Sequence, residues 1–224
     1  MENINKLIIK TLLPLALLTS PVTLANECNI NTSVTIGSSQ RPVDGFEPVK
    51  NQVLQILPSV SCKLDKSTNF NMYGFANFDL KSGVNNELDT GISISKKLTK
   101  NITLTGTLDF WAPQKGDNYY VPGIKVNYGN SSYNYQKIVD GGERHIISTQ
   151  FPFNTSILGE DVTIMPKISA TITDDGYFGL KDGLTNIVSG VSISSDDYKL
   201  SLEYHKTKRE TLSSGIYAGI SFKF

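Results

Sequence analysis

The sequence predicts an all-β fold, an antiparallel transmembrane up-and-down β-barrel of twelve strands, with ten as the alternative count. Three observations carry this reading. After residue 25, apolar residues recur with a period of two, and nowhere at helical spacing over a useful length. Turn residues interrupt the alternation at regular intervals, leaving segments of mostly about the 9–11 residues that a tilted strand needs to cross a bilayer, longer than the ~5–6 of a soluble strand. The connections alternate between compact and long.

The first segment stands outside this pattern. "MENINKLIIKTLLPLALLTSPVTLA" carries Lys6 and Lys10, an apolar run from Thr11 to Leu18, and a small-residue cleavage pattern at Thr23-Leu24-Ala25. Lys10, Pro14 and Pro21 break the run well short of the roughly 20 apolar residues of a spanning helix. Residues 1–25 therefore read as a secretory signal peptide, cleaved before Asn26, and residues 26–224 as one barrel domain. The chain holds 21 basic and 21 acidic residues, and losing Lys6, Lys10 and Glu2 leaves a net charge near −1. That balance excludes the basic surface a nucleic-acid partner requires.

Twelve strands are expected near 28–37, 53–63, 69–81, 87–97, 101–111, 119–128, 132–139, 146–154, 161–173, 185–194, 198–206 and 215–224. "NITLTGTLDF" is typical: Ile102, Leu104, Gly106, Leu108 and Phe110 share one face, and Thr103, Thr105, Thr107 and Asp109 the other. "LDKSTN", "KLTKN", "GNSS", "NTSILGE" and "SSDD" are compact turns at one rim. "SSQRPVDGFEPVK", "KSGVNNE", "APQKGDN", "DGGERH", "TDDGYFGLKDG" and "KTKRETLSS" form the rim of longer loops. An even strand number puts both termini at the short-turn rim.

Cys28 and Cys62, as an exported pair, are expected to form a disulfide. Pairing them across the first hairpin sets Ile30 opposite Val60, Val34 opposite Ile56 and Ile36 opposite Leu54, with the turn centred on Gly45. In the last hairpin Tyr198 opposes Phe222, Leu200 Ile220, Leu202 Ala218 and Tyr204 Ile216. A slip of one residue would ruin both sets. Outward aromatics collect at two heights: Phe70, Tyr128, Tyr133, Phe153, Tyr198, Phe222 and Phe224 near the short turns, Phe78, Phe110, Tyr120 and Tyr204 near the long loops. Such girdles mark the two interfaces of a membrane.

The final "GIYAGISFKF", with Ile216, Ala218, Ile220, Phe222 and the terminal Phe224, resembles the C-terminal signature of Gram-negative outer-membrane β-barrel proteins. That resemblance implies a bacterial outer-membrane location, contact with lipid and lipopolysaccharide, and recognition of this end by periplasmic chaperones and the barrel-insertion machinery during biogenesis.

Two features strain the pattern. Pro58, Pro122, Pro152 and Pro166 lie inside proposed strands, where bulges or shifted boundaries are expected. Lys137 falls on the lipid side if "GNSS" is a simple turn, at a cost of up to ~2–4 kcal/mol near the midplane, which a bulge or an irregular seventh strand would relieve.

The opposite face is rich in hydroxyls and amides and suits water. Among its residues Asp79, Asp89 and Asp109 come from three neighbouring strands, while Lys125, Lys167, Lys199 and Glu203 lie farther round. These seven are the expected pore-lining charges, either as facing acidic and basic walls or as paired groups filling a narrow barrel. Small oligosaccharide-specific porins for acidic sugars are similar in length and strand count, and are marked by luminal arginine strips. Here Arg41, Arg144 and Arg209 all fall in predicted loops or at their edges, so the likeness does not extend to acidic sugars.

No catalytic, metal or cofactor site is expected. His145 and Ser148 are three apart and face opposite ways, and His205 shares its luminal face with Glu203 and Thr207. Two isolated histidines do not make a metal cluster. The functional expectation is a small passive channel for polar solutes. A non-conducting structural or surface-interaction barrel is the alternative, and a lipid-modifying hydrolase the third.

Overall fold

A barrel wall in which every strand finds two neighbours follows directly from the paired registers. The computed structural model describes residues 27–38, 51–113, 117–139, 141–157, 159–177, 182–207 and 214–224. The expected signal peptide and the turn at Gly45 lie outside these residues. The strand segments are β1 (Glu27–Gly37), β2 (Val53–Lys63), β3 (Thr68–Asp79), β4 (Asn85–Lys97), β5 (Ile102–Pro113), β6 (Tyr119–Tyr128), β7 (Ser131–Ile138), β8 (Gly142–Gln150), β9 (Phe153–Ile157), β10 (Glu160–Asp174), β11 (Gly183–Ser194), β12 (Tyr198–Thr207) and β13 (Gly215–Lys223).

All pairings are antiparallel, and each segment meets the next in sequence except where β8 and β9 both pair with β10. Gln150 opposes Lys167 and Phe153 opposes Ile164, so β8 and β9 are two pieces of one barrel strand parted at Phe151 and Pro152. The wall therefore has twelve strands. It closes where β13 pairs with β1, from Ser33↔Lys223 to Gly37↔Gly219. The terminal Phe224 extends this seam by donating its N–H to Thr32 O (2.8 Å) and accepting from Thr32 N (3.0 Å).

The registers of the first and last hairpins are those the apolar pattern dictates, including Cys28↔Cys62 and Tyr198↔Phe222. Cys28 and Cys62 are disulfide-bonded at the short-turn rim. The apolar rows face outward, as the exposure of Ile30, Ile94, Ile124, Ile168 and Leu202 shows. Of the girdle aromatics, Tyr120, Tyr128, Tyr133, Phe153, Tyr204, Phe222 and Phe224 are exposed on that same side.

The prolines produce one boundary and no register shift. Pro58 leaves the β2–β3 ladder in step on either side, at Ile56↔Ala76 and Ser59↔Tyr73. Pro122 sits just beyond Gly123↔Gln136, the last β6–β7 pair on that side. Pro152 and Pro166 share a single break, bridged by Phe151 N to Pro166 O at 2.9 Å. Each missing N–H opens a local gap that the neighbouring ladder spans. The register shifts fall at Asn77/Phe78 and Thr171/Ile172 instead.

Lys137 does face outward, and no bulge relieves it: β6 and β7 run in register down to Tyr128↔Ser131. The two-residue turn between them is allowed by Gly129 at φ 54°. Height and pairing resolve the cost instead. Lys137 lies one residue from the long-loop end of β7 and bonds Glu143 directly opposite, at 2.9 Å. "DGGERH" is also no long loop, because β8 resumes at Gly142 and only residues 139–141 connect. Gly142 (φ 88°) lies under the β10–β11 connection, where a Cβ would stand 2.5 Å from Tyr177 N.

Two predictions follow from the short-turn rim. Cys62→Ser is expected to lower unfolding stability by about 2–4 kcal/mol while the barrel still forms, since the whole β1–β2 ladder remains; denaturant unfolding in detergent measures it. In the β2–β3 turn, Asp65 Oδ1 accepts from Ser67 N (2.6 Å), Thr68 N (2.8 Å) and Ser67 Oγ (2.9 Å). The Ser67 backbone bond leads in holding this carboxyl down at about 2, below its ordinary 3.8. A carboxylate whose folded pKa is depressed stabilises the turn above the ordinary value and loses that effect as pH falls through the folded value. Asp65→Asn should therefore remove a component of acid sensitivity between about pH 4 and 2, read from unfolding midpoints across that window.

Candidate functional site: the inner face of the barrel

Alternation delivers a second, polar set of side chains to the inside. Asp79 (β3), Asp89 (β4), Asp109 (β5), Lys125 (β6), Lys167 (β10), Lys199 and Glu203 (both β12) all occupy inward positions of their strands. The structure joins some of them and separates others.

Two polar chains run around the wall, each made possible by a glycine at a crossing point. Tyr73, Gly91 and Asp109 lie in one row across β3, β4 and β5. With no side chain at Gly91, Tyr73 Oη reaches over β4 and donates to Asp109 Oδ1 at 2.9 Å. A Cβ at residue 91 would sit 2.3 Å from that oxygen and 2.4 Å from Tyr73 Cε1. Asp109 Oδ2 accepts from Gln136 Nε2 (3.0 Å), and Gln136 Oε1 accepts from Arg144 Nε (2.8 Å). The Arg144 guanidinium lies 4.8 Å from the centroid of the Trp111 ring and 5.9 Å from that of Tyr177, a cation–π arrangement. Val121, Ile138 and Tyr177 pack as a buried apolar cluster beside it, with Trp111 and Tyr119 against them.

On the other chain, Lys167, Gly190 and Glu203 form a row across β10, β11 and β12. Lys167 Nζ crosses the glycine to reach Glu203 Oε1 at 2.8 Å, and His205 Nε2 lies 3.1 Å from Glu203 Oε2. A Cβ at Gly190 would meet Glu203 Cγ at 2.7 Å. Asp79 sits at the end of β3, accepting from Asn51 Nδ2 (2.9 Å) and from the backbone of Lys81 and Ser82. Asp89 accepts from Ala112 N at 3.1 Å.

Burial is graded along the axis. Toward the long loops the inner residues are enclosed: Asn77, Gln136, Arg144, Thr173, Asn186, Glu203 and His205 are each no more than 6% exposed. Toward the short turns, Asn71, Ser93, Ser95, Lys125, Ser132, Thr163, Lys199 and Ser201 are only partly buried. Thr105 and Ser192 are polar inner residues of that half that are buried. The lower lumen is thus a hydroxyl-lined vestibule and the upper lumen a packed polar layer.

Arg144 corrects the reading that placed it in a loop: it is an inward residue of β8, 5% exposed. Gln136, Trp111 and Tyr177 join it as luminal groups that the sequence did not single out, and His205 lies on the luminal face beside Glu203 as expected. The available signal was the glycines at inward positions 91, 123 and 190, since alternation marks each as a place where flanking side chains can cross. His145 faces outward, its Nδ1 2.7 Å from Tyr133 Oη, while Ser148 points inward and bonds Ser132 at 2.7 Å. The expected opposite facing of His145 and Ser148 holds, and no nucleophile and base come together there.

Among solved structures, the KdgM porin matches 88% of this chain and 99% of its own at 11% identity and a TM-score of 0.50. The NanC porin matches 88% and 99% at 11% identity and 0.52, and LpxR from Salmonella typhimurium 87% and 99% at 8% and 0.53. No protein-family model matches the chain, and no curated protein matches it significantly. At these identities the likeness shows the fold alone, a closed antiparallel β-barrel that this chain shares with two porins and with LpxR.

The crossing glycines make a direct prediction. Gly91→Ala forces Tyr73 and Asp109 apart and is expected to destabilise the barrel by about 1–3 kcal/mol. Gly106→Ala, outward with open space around it, should be close to neutral. Paired denaturant titrations of the two variants test it.

Proposed function

We propose that the protein resides in the bacterial outer membrane, exported by a cleaved signal peptide (1–25), and acts there as a small passive channel for polar solutes. The inner face carries this reading: glycines 91 and 190 let the longest luminal side chains lie along the wall instead of across the bore. Thr173 Oγ1, Asn186 Oδ1 and His205 Nδ1 are buried there without a protein hydrogen-bond partner, as groups served by water are. Two fold neighbours are porins, and the KdgM porin has been solved with oligogalacturonate; here a single inward arginine among the described residues, held by Gln136 and Trp111, favours small polar solutes over acidic oligosaccharides. Outer-membrane lipid and lipopolysaccharide are the partners of the outer wall. Periplasmic chaperones and the insertion machinery read Ile216, Ala218, Ile220, Phe222 and Phe224.

One observation favours a second reading. The packed layer around Arg144 and Glu203 is what a non-conducting structural or surface-interaction barrel would carry. Single-channel recordings in planar bilayers separate the two. Stable openings that widen in Arg144→Ala, which removes the side chain filling the layer, support a channel. Silence of both proteins across salts supports the filled barrel.

A further inference from the structure

Within the channel reading, and resting on it, the placement of luminal charge specifies the kind of solute. Every inward acid on β3, β4 and β5 lies in the half of its strand nearer the long loops: Asp79 ends β3, Glu87 and Asp89 fall in the first five residues of β4, and Asp109 in the last five of β5. The inward lysines lie in the opposite half. Lys97 ends β4, Lys125 is fourth from the end of β6, Lys199 is second in β12 and Lys223 ends β13.

The exceptions cancel or sit at the boundary. Lys167 is the midpoint of β10 and is neutralised by Glu203. Glu27 and Lys63 pair with each other at the short-turn rim. Arg144 is the one inward cation of the acidic half among the described residues, and it is bonded to Gln136 and stacked over Trp111 within the packed layer. Asp161 lies below the β10–β11 ladder, whose lowest pair is Thr163↔Ser194.

We infer that the lumen is bipolar along its axis, acidic toward the long loops and basic toward the short turns, and that it favours small zwitterions over simple ions of either sign. Fixed charges lining a narrow, low-dielectric bore set the potential a solute meets. A cation is drawn into the upper half and repelled by Lys125 and Lys97. An anion is welcomed below and repelled by Asp89 and Asp109. A small zwitterion carries no net charge through either half, and its dipole is stabilised where it spans the junction, its ammonium toward Asp109 and its carboxylate toward Lys125. The same asymmetry makes ionic current depend on the sign of the applied voltage, because one polarity fills the junction with counter-ions and the other empties it.

Single-channel recording and liposome swelling test this together. Wild-type currents at opposite polarities should differ by roughly twofold or more, and glycine should enter proteoliposomes several-fold faster than acetate or methylammonium of similar size. The double variant Lys125→Gln, Lys97→Gln, with folding checked by heat-modifiable gel mobility, should lose the glycine preference and admit methylammonium. Should that variant not fold, Lys125→Gln alone is expected to shift both readouts in the same direction. Symmetric current with uptake ordered by size alone overturns the bipolar lumen and leaves the channel intact. Absence of both current and swelling overturns the channel reading and this inference with it.

Discussion

Closure of the backbone ladder is the constraint on which the rest of this structure depends. Inside a bilayer an unpaired N–H or C=O has no water to turn to, and each costs several kcal/mol, so a sheet can span only if its last strand pairs with its first. Here β13 meets β1 over the row from Ser33↔Lys223 to Gly37↔Gly219, and the terminal Phe224 completes it against Thr32. Once the wall closes, parity assigns strand residues to lipid or lumen, resetting at the two register shifts, Asn77/Phe78 and Thr171/Ile172. The apolar rows, the aromatic heights and the polar interior are consequences of that assignment.

Closure also explains how the wall tolerates its irregularities. Four prolines interrupt the ladder without moving the register, because each gap is flanked by pairs that fix the strands in place. The outward Lys137 survives through height and a partner, with Glu143 opposite it near the long-loop rim. A charge at the edge of the apolar band that can meet a carboxylate escapes most of the penalty it would suffer at the midplane.

Inside, the governing fact is what absent side chains permit. Strands pack about 4.8 Å apart, so two long side chains separated by one strand can meet only if the residue between them is small. Gly91 and Gly190 supply those gaps, and the Tyr73–Asp109 and Lys167–Glu203 contacts pass over them. A polar group buried without a partner is costly, and these crossings satisfy several at once. They also lay these side chains along the wall, whose lining is partly buried toward the short turns and more enclosed toward the long loops.

The sequence by itself determined the barrel and the registers of its first and last hairpins, and left twelve strands against ten for the structure to decide. Period-two alternation in a lipid-facing wall is a strict code, and Cys28 with Cys62, or Tyr198 with Phe222, admits one pairing that keeps every apolar residue on one face. It also sorted inward from outward residues, since parity is local. Three more things were decided only by the tertiary structure. Arg144 and His145 read as loop residues because "DGGERH" carries Gly and charge, yet pairing with β7 and β10 draws them into a strand. Tyr177 reaches the lumen because a loop folds back onto Gly142, a contact no local pattern encodes. The partners of the luminal charges depend on which residues stand in the same row across three strands, and on strand lengths that place acids at one end and lysines at the other. Those are relations between segments far apart in the chain, which the sequence records residue by residue and only the closed wall brings together.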